Sequence, residues 1–418
     1  MKKYDNYKDS GIEWLGEIPS NWKVTKLKFI GDAIGGLTYS PNDVVENESE
    51  GKLVLRSSNI QDGKLSLKDN VYVNLDISEK LTLKKGDILI CSRNGSQHLI
   101  GKNICIDERT EGNTFGAFMM IFRSKYFSFL NHFFNSPIFT SQSGLFLTAT
   151  INQLTSSTLN NFYIAIPDSI SEQTAIANYL DHKTTQIDTL IAKKEQFISL
   201  LQEERTAVIN QAVTKGLDPN VPMKDSGIEW LGEIPEHWEV KRMKFIANLK
   251  SGNNIISEQI TKNAEFPVYG GNGLRGYYSE YTNDGDFILI GRQGALCGNI
   301  NYATGKFWAS EHAIVCYLND NVDWIWFGKL LEIMNLNQYN QSAAQPGLAV
   351  GLIKNLNIGV PNIDEQILIK NFIEIENLRI QILIDKSQQE IELLKEYKTA
   401  LISEVVTGKV DVRDVVFN

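Results

Sequence analysis

Four short stretches concentrate side chains that can form paired hydrogen bonds with a flat polar edge. "LVLRSSNIQDGKLSL" reads as strand, turn, strand, with Arg56, Ser57, Asn59 and Lys64 at or near the turn. "LKKGDILICSRNGSQHLIGKNICI" reads as two strands joined by a loop that carries Arg93, Asn94, Gln97 and His98. Further along, "VYGGNGLRGYYSEY" offers Tyr269, Asn272, Arg275 and Tyr277, and "DGDFILIGRQGALCGNI" offers Arg292 and Gln293 on a glycine-rich turn. Arg, Asn and Gln are the side chains that bond bidentately to the edges of nucleic-acid bases. Glycines beside them let a backbone approach closely. Taken singly, each residue reads more simply as an ordinary solvated loop residue. The recurrence of one pattern in two distant regions is what argues for base contacts.

Other chemistry finds no seat. "GGNGLRG" contains G-x-G-x-x-G at Gly271, Gly273 and Gly276, but "YYSEYTNDGD" follows it and reads as a turn, whereas a dinucleotide fingerprint needs a helix there. "GSQHLIGKN" has five residues between Gly95 and Gly101 and Asn103 where a phosphate loop needs Ser or Thr. Asp43 with Glu50-Gly51-Lys52 resembles a nuclease carboxylate set, but it sits in the very polar "SPNDVVENESEGK", a solvated loop. The five histidines, His98, His132, His182, His237 and His312, form no i,i+4 pair and no cluster with cysteine, so no metal site is expected. Neither a G-x-S-x-G elbow nor the Asn-Pro-Pro-aromatic string of amino-methylating enzymes occurs. The four cysteines, Cys91, Cys105, Cys297 and Cys316, make no C-x-x-C pair and read as free thiols of a reducing compartment.

The elements that must hold these loops are written twice. Lys8 to Pro19, "KDSGIEWLGEIP", recurs letter for letter from Lys224 to Pro235, and the similarity continues through "NWKVTKLKFI" and "HWEVKRMKFI". The first part reads as a turn or a very short helix; Trp22 and Val24, matched by Trp238 and Val240, open a half-buried strand. A second repeat starts at Glu172 and again at Glu365, and aligns without a gap for about forty residues. Each copy follows a proline and a polar turn, "NFYIAIPDSISEQ" and "NLNIGVPNIDEQ", which makes a helix start. Ile187, Ile191, Ile198, Leu201, Val208 and Ala212 form one apolar stripe, and Ile380, Ile384, Ile391, Leu394, Leu401 and Val405 the matching one. Helices of about forty residues reach roughly 60 Å. The stripes are expected to bury against each other; the alternative is two amphipathic helices, each lying on its own domain. The order is thus frame, insert, helix, frame, insert, helix, a pseudo-twofold object with two different heads. Beyond the opening strand the two inserts do not align, and "KGLDPNVPMK" from Lys215 is the expected hinge.

At 418 residues the chain suits two or three domains. Its net charge of -9 argues weakly against a nucleic-acid partner, but residues 1–167 carry a net of +1 and the two helix-rich segments hold most of the negative charge. No run of 18 apolar residues occurs, and "MKKYDNYKDS" lacks the apolar core of a signal peptide. The expected partner set therefore includes no membrane.

"SGIEWLGEIPEHWEVKRMK", "NIGVPNIDEQ" and "LISEVVTGKVDVRD" resemble the conserved regions of the specificity subunits of type I restriction–modification systems. "GDILICSRNGSQHLIGK" and "VYGGNGLRGYY…GDFILIGRQGALCGN" resemble strings common in that family's target recognition domains, so the likeness covers the whole chain in the family's order. It implies a mixed α+β fold, with two globular α/β target recognition domains separated by an antiparallel coiled coil of the two long helices. The divisions would be 1–167, frame and first recognition domain; 168–223, central helix and linker; 224–361, repeated frame and second recognition domain; and 362–418, C-terminal helix. Each recognition domain would read one half of a split site in double-stranded DNA. The frame would dock two modification subunits, adenine methyltransferases using S-adenosylmethionine, and restriction subunits using ATP and Mg²⁺ would join for cleavage. The chain itself would hold no cofactor and catalyse nothing, in the cytoplasm. Rival readings are a coiled-coil adaptor that binds only proteins, and a self-sufficient nuclease or methyltransferase.

Overall fold

The computed structural model describes residues 2–61, 63–146, 153–294, 296–340 and 347–417. It divides into two compact units, Met1–Lys194 with Gln389–Asn418, and Glu195–Gln388. Both divisions fall inside the long helices α1 (Ile170–Lys215) and α2 (Ile363–Val406) rather than at the proline-containing stretch after Lys215.

In the first unit the repeated segment is a turn between two short antiparallel strands, Tyr7–Asp9 and Glu17–Pro19. Trp22–Lys26 then pairs antiparallel with Tyr163–Pro167, the strand that leads into α1. Trp22 is fully buried, and its Nε1–H donates to Glu172 Oε1 at 2.8 Å. Tyr4 Oη donates to the same carboxylate oxygen at 2.9 Å and Asn21 Nδ2 to the other at 2.9 Å. Gln173 Nε2 donates to the Pro167 carbonyl at 2.8 Å. The second unit repeats this. Strands Met223–Asp225 and Glu233–Pro235 form the hairpin, and Glu239–Arg242 pairs with Asn357–Val360. Trp238 Nε1 donates to Glu365 Oε1 at 3.0 Å, and Gln366 Nε2 to the Pro361 carbonyl at 2.9 Å. The Glu-Gln pair that opens both helices in the sequence thus has a reason. The glutamate anchors the tryptophan and the glutamine satisfies a carbonyl stranded before the helix.

Each hairpin also receives a helix end. Lys409, just past α2, donates to the carbonyls of Leu15 and Glu17, and Lys215, at the end of α1, to those of Leu231 and Glu233. A cation there suits the negative pole of a helix C-terminus.

The helices pair antiparallel within each unit. Asp188 meets Lys398, and Lys194 meets Glu390, in the first. Glu204 meets Arg379, and Arg205 meets Gln381, in the second. The expected stripes are the seam: Ile187, Leu401 and Val405 are buried in one unit, and Leu201, Ile380, Ile384 and Ala212 in the other. The apolar spacing alternates four and three residues, and Lys194, Arg205 and Lys398 occupy seam positions where an apolar residue would fall. Such polar pairs specify orientation and register.

The two inserts, which do not align as sequences, share one topology. In the first head β1 (Asp32–Gly35), β2 (Lys52–Leu55), β3 (Ile88–Cys91), β4 (Asn103–Cys105), β5 (Thr114–Phe115) and β6 (Met119–Arg123) form two sheets. The four-stranded antiparallel order is β4-β3-β6-β1, while β5 runs parallel to β2. In the second head β7 (Ala247–Ser251), β8 (Phe266–Gly270), β9 (Phe287–Gly291), β10 (Ile300–Ala303), β11 (Lys306–Ala309) and β12 (Ala313–Leu318) repeat this. The order there is β10-β9-β12-β7, with β11 parallel to β8. Side chains alternate between the two faces. Ile88 and Ile90 pack on the helical side with Phe129 and Leu130, and Leu89 and Cys91 on the small sheet with Leu55 and Phe115. Ile288 and Ile290 face Trp326 and Leu330, and Leu289 faces Phe307 and Ala309. Burial on both faces explains the unbroken runs "ILIC" and "ILIG". The heads differ at an edge. Val44–Val45 pairs with Tyr72–Val73 in the first, whereas Asn283–Asp284 pairs with β11 in the second.

Candidate nucleic-acid interface

In the first head the loop after β3 and the crossing from β5 to β6 meet. Ser92 and Arg93 amides donate to the Phe118 carbonyl at 2.9 and 3.1 Å, and the Met119 amide closes the crossing on Gly116 at 2.8 Å. Leu154 donates to Ser92 at 2.8 Å, bringing in a third segment. An open groove of about 1150 Å³ results, lined by Tyr39, Arg56, Ser57, Arg93, Asn94 and Phe118 among others.

The groove sorts the candidates. Arg93 lies over the Phe118 ring, 5.4 Å from its centroid, and makes no ion pair among the described residues. Arg56 is committed internally, with Nη2 2.8 Å from Asp69 Oδ2. Asn94 Nδ2 donates to Ser57 Oγ at 3.0 Å, and Lys102 Nζ to the Ser57 carbonyl at 2.6 Å, so the two walls are tied. Lys64 is exposed on a small hairpin, and Gln97 and His98 are exposed on a 3-10 turn, none of them lining the groove. Asn59 is a correction. It is fully buried, accepts from the Arg56 amide at 2.8 Å and donates to the Ser66 carbonyl at 3.0 Å, so it holds the turn and presents nothing outward.

In the second head Gln293 Oε1 lies 2.8 Å from His312 Nδ1, and His312 Nε2 lies 3.0 Å from Glu311 Oε1. Arg275 is exposed and crosses its own hairpin, where a Cβ on Gly270 would lie 2.5 Å from Arg275 Cδ. Arg292 is half-buried and its amide donates to the His312 carbonyl at 2.8 Å. Asn272 Oδ1 accepts from Asn299 at 3.4 Å. Tyr269 turns inward, edge-on to Phe307 at 5.6 Å, and Tyr277 is fixed in the sheet by paired backbone bonds with Thr261. Their rings are half-buried.

Phe118, Tyr39, Glu311 and His312 escaped the sequence reading. An aromatic residue after "TFGA" and a histidine after "ASE" carry no periodic signal, and a phenylalanine is read as core unless its exposure is known. Here Phe118 is 59% exposed.

Residues 19–199 and 235–393 match the family described as the type I restriction modification DNA specificity domain, so the chain belongs to that family. The EcoprrI specificity subunit of Escherichia coli is 44% identical over 133 residues, 31% of this chain and 33% of that protein. The EcoKI specificity subunit of Escherichia coli K12 is 28% identical over 58% of this chain and 52% of its own length. The matches thus span about a third and about half of those two relatives. The MjaIX specificity subunit of Methanocaldococcus jannaschii is 23% identical over 96% of each chain. The fold matches the crystal structure of the HsdS subunit from Thermoanaerobacter tengcongensis, with a TM-score of 0.60 and 14% identity over 94% of this chain and 98% of that one. It also matches a chain from work on complex assembly and conformational transition of the type I R-M system, with a TM-score of 0.69 and 14% identity over 94% and 99%. Among the described residues no helix is long and apolar enough to cross a membrane.

Proposed function

We propose that this chain is the DNA-reading subunit of a type I restriction–modification complex, in which each head binds one half of a split site in double-stranded DNA. One observation carries the reading. Two heads of one topology stand on a duplicated frame and present unlike polar side chains at the same place. A duplicated frame offers two like docking places, which suits two copies of one modification subunit. That subunit supplies adenine methylation from S-adenosylmethionine, and restriction subunits, where present, supply ATP- and Mg²⁺-dependent cleavage. The chain itself is non-catalytic and works in the cytoplasm. The modest acidic charge fits a reader whose partners share the phosphate contacts. The test is to assay the purified chain alone for methyl transfer and Mg²⁺-dependent cleavage, then to map methylated adenines in cells that express it with its modification subunit. Turnover by the chain alone, or methylation without a bipartite consensus, overturns the reading.

A further inference from the structure

The hydrogen bonds that shape the groove recur in the second head position by position. Gly36 donates to the Met119 carbonyl at 3.1 Å and Gly252 to Ala313 at 2.9 Å. Leu37 donates to Phe115 at 2.8 Å and Asn253 to Ala309 at 2.8 Å. Gly116 donates to Leu55 at 3.0 Å and Ser310 to Tyr269 at 2.9 Å. The Met119 amide closes on Gly116, as the Ala313 amide closes on Ser310 at 3.0 Å. Leu154 donates to Ser92, as Leu348 does to Arg292 at 2.9 Å. Bridges Arg93↔Gln153 and Gln293↔Gly347 complete the match. This places Arg93 with Gln293, and Phe118 with His312. In both heads the two side chains touch. Arg93 lies over Phe118, and Gln293 meets His312. The backbone at this point is the same in both heads, and the chemistry is not.

On the reading just given, we infer that this side-chain pair is the specificity-determining element of each head, and that Arg93 reads a guanine in one half-site. The guanidinium has no carboxylate partner among the described residues, so its donors are open to a ligand. The Phe118 ring, 5.4 Å from the guanidinium, gives the side chain a resting place over the groove, and less rotamer freedom remains to be lost on binding. A planar pair of donors matches O6 and N7 of guanine in the major groove. Arg56 also lines the groove, but it is paired with Asp69 and belongs to the wall. In the second head Gln293 offers an amide edge steadied by His312, and that edge matches N6 and N7 of adenine. Phe118 and His312 are positioning residues in this scheme.

The experiment maps adenine methylation by the complex of this chain with its modification subunit, comparing the parent with Arg93→Lys, Arg93→Gln, Phe118→Ala and Gln293→Ala. Lysine keeps the charge and loses the fork. Arg93→Lys is expected to relax discrimination at one guanine position of one half-site by about 10-fold or more, with the other half-site unchanged. Phe118→Ala relaxes the same position, Arg93→Gln moves its preference towards adenine, and Gln293→Ala acts only on the other half-site. Unchanged base preference in both Arg93→Lys and Phe118→Ala overturns the inference. So does a uniform loss across all sequences, which marks a phosphate contact. A parent complex without any bipartite consensus overturns instead the function on which the inference rests.

Discussion

Glu172 and Glu365 show how much one side chain organises. Glu172 is nearly buried and satisfies three donors, from Tyr4, Asn21 and Trp22, whereas Glu365 is more exposed and meets Trp238 and His237. Removing the carboxylate strands buried donors, and bonds to a charged group are worth about 1.5–3 kcal/mol each. Glu172→Ala should therefore destabilise by about 2–4 kcal/mol in urea unfolding, Glu365→Ala by less, and Glu172→Gln should recover part of the loss. Equal losses at the two sites would show that the tryptophan, not the donor count, sets the cost. The cysteines give a second expectation. All four are free, and burial pushes the Cys105 thiol up to about 11 and raises the other three. At pH 8 about one Cys105 thiol in a thousand is ionised. A thiol–disulfide reagent should label the native chain slowly at pH 8, then react with four thiols once it is unfolded. Fast labelling of one native equivalent at pH 8 would contradict this.

At the scale of elements, the sequence was most legible where periodicity and repetition speak. The seam residues Ile187, Leu201, Ile380 and Leu401 follow from spacing alone, because a long helix buries whatever recurs every three or four residues. The loops bearing Arg93 and Gln293 were legible because strand, glycine and turn signals bracket them. The likeness between the heads was not, because backbone hydrogen bonds between distant segments create it and many sequences satisfy them. Asn59 misled for a related reason, since its amide is used by residues that follow it in the chain, Ser66 among them. One pair of glycines does mark the shared geometry. A Cβ on Gly36 would lie 2.1 Å from the Gly116 carbonyl oxygen, and one on Gly252 would lie 2.3 Å from that of Ala309. Gly36→Ala must push the crossing that carries Phe118, and should cost about 1–3 kcal/mol. Gly35→Ala, beside it with nothing within 4 Å, should be close to neutral. Hydrogen exchange across residues 114–119 distinguishes them, with faster exchange expected only in the first variant. Equal behaviour of the two would show that the crossing is not tightly held.

For the whole molecule, the decisive feature is that each long helix is unbroken where the compact units divide, between Lys194 and Glu195 and between Gln388 and Gln389. A reader with two heads needs a fixed interval between its half-sites, and two paired helices are suited to fix one. Inserting seven residues at both divisions tests this. Seven residues preserve the alternating four-and-three seam and add about 10.5 Å to each helix, at about 1.5 Å per residue. The rotation drifts by only about 20° per heptad. DNA advances about 3.4 Å per base pair along one strand. The gap in the methylated site should therefore lengthen by about three base pairs, with the bases of both halves unchanged. Inserting in one helix alone should throw pairs such as Lys194 with Glu390 and Arg205 with Gln381 out of register, and should reduce stability instead of moving the gap. A doubly inserted chain that folds and directs methylation at the original spacing would show that something other than the helices sets the interval. Changed half-site bases would show that the heads take their specificity partly from the frame.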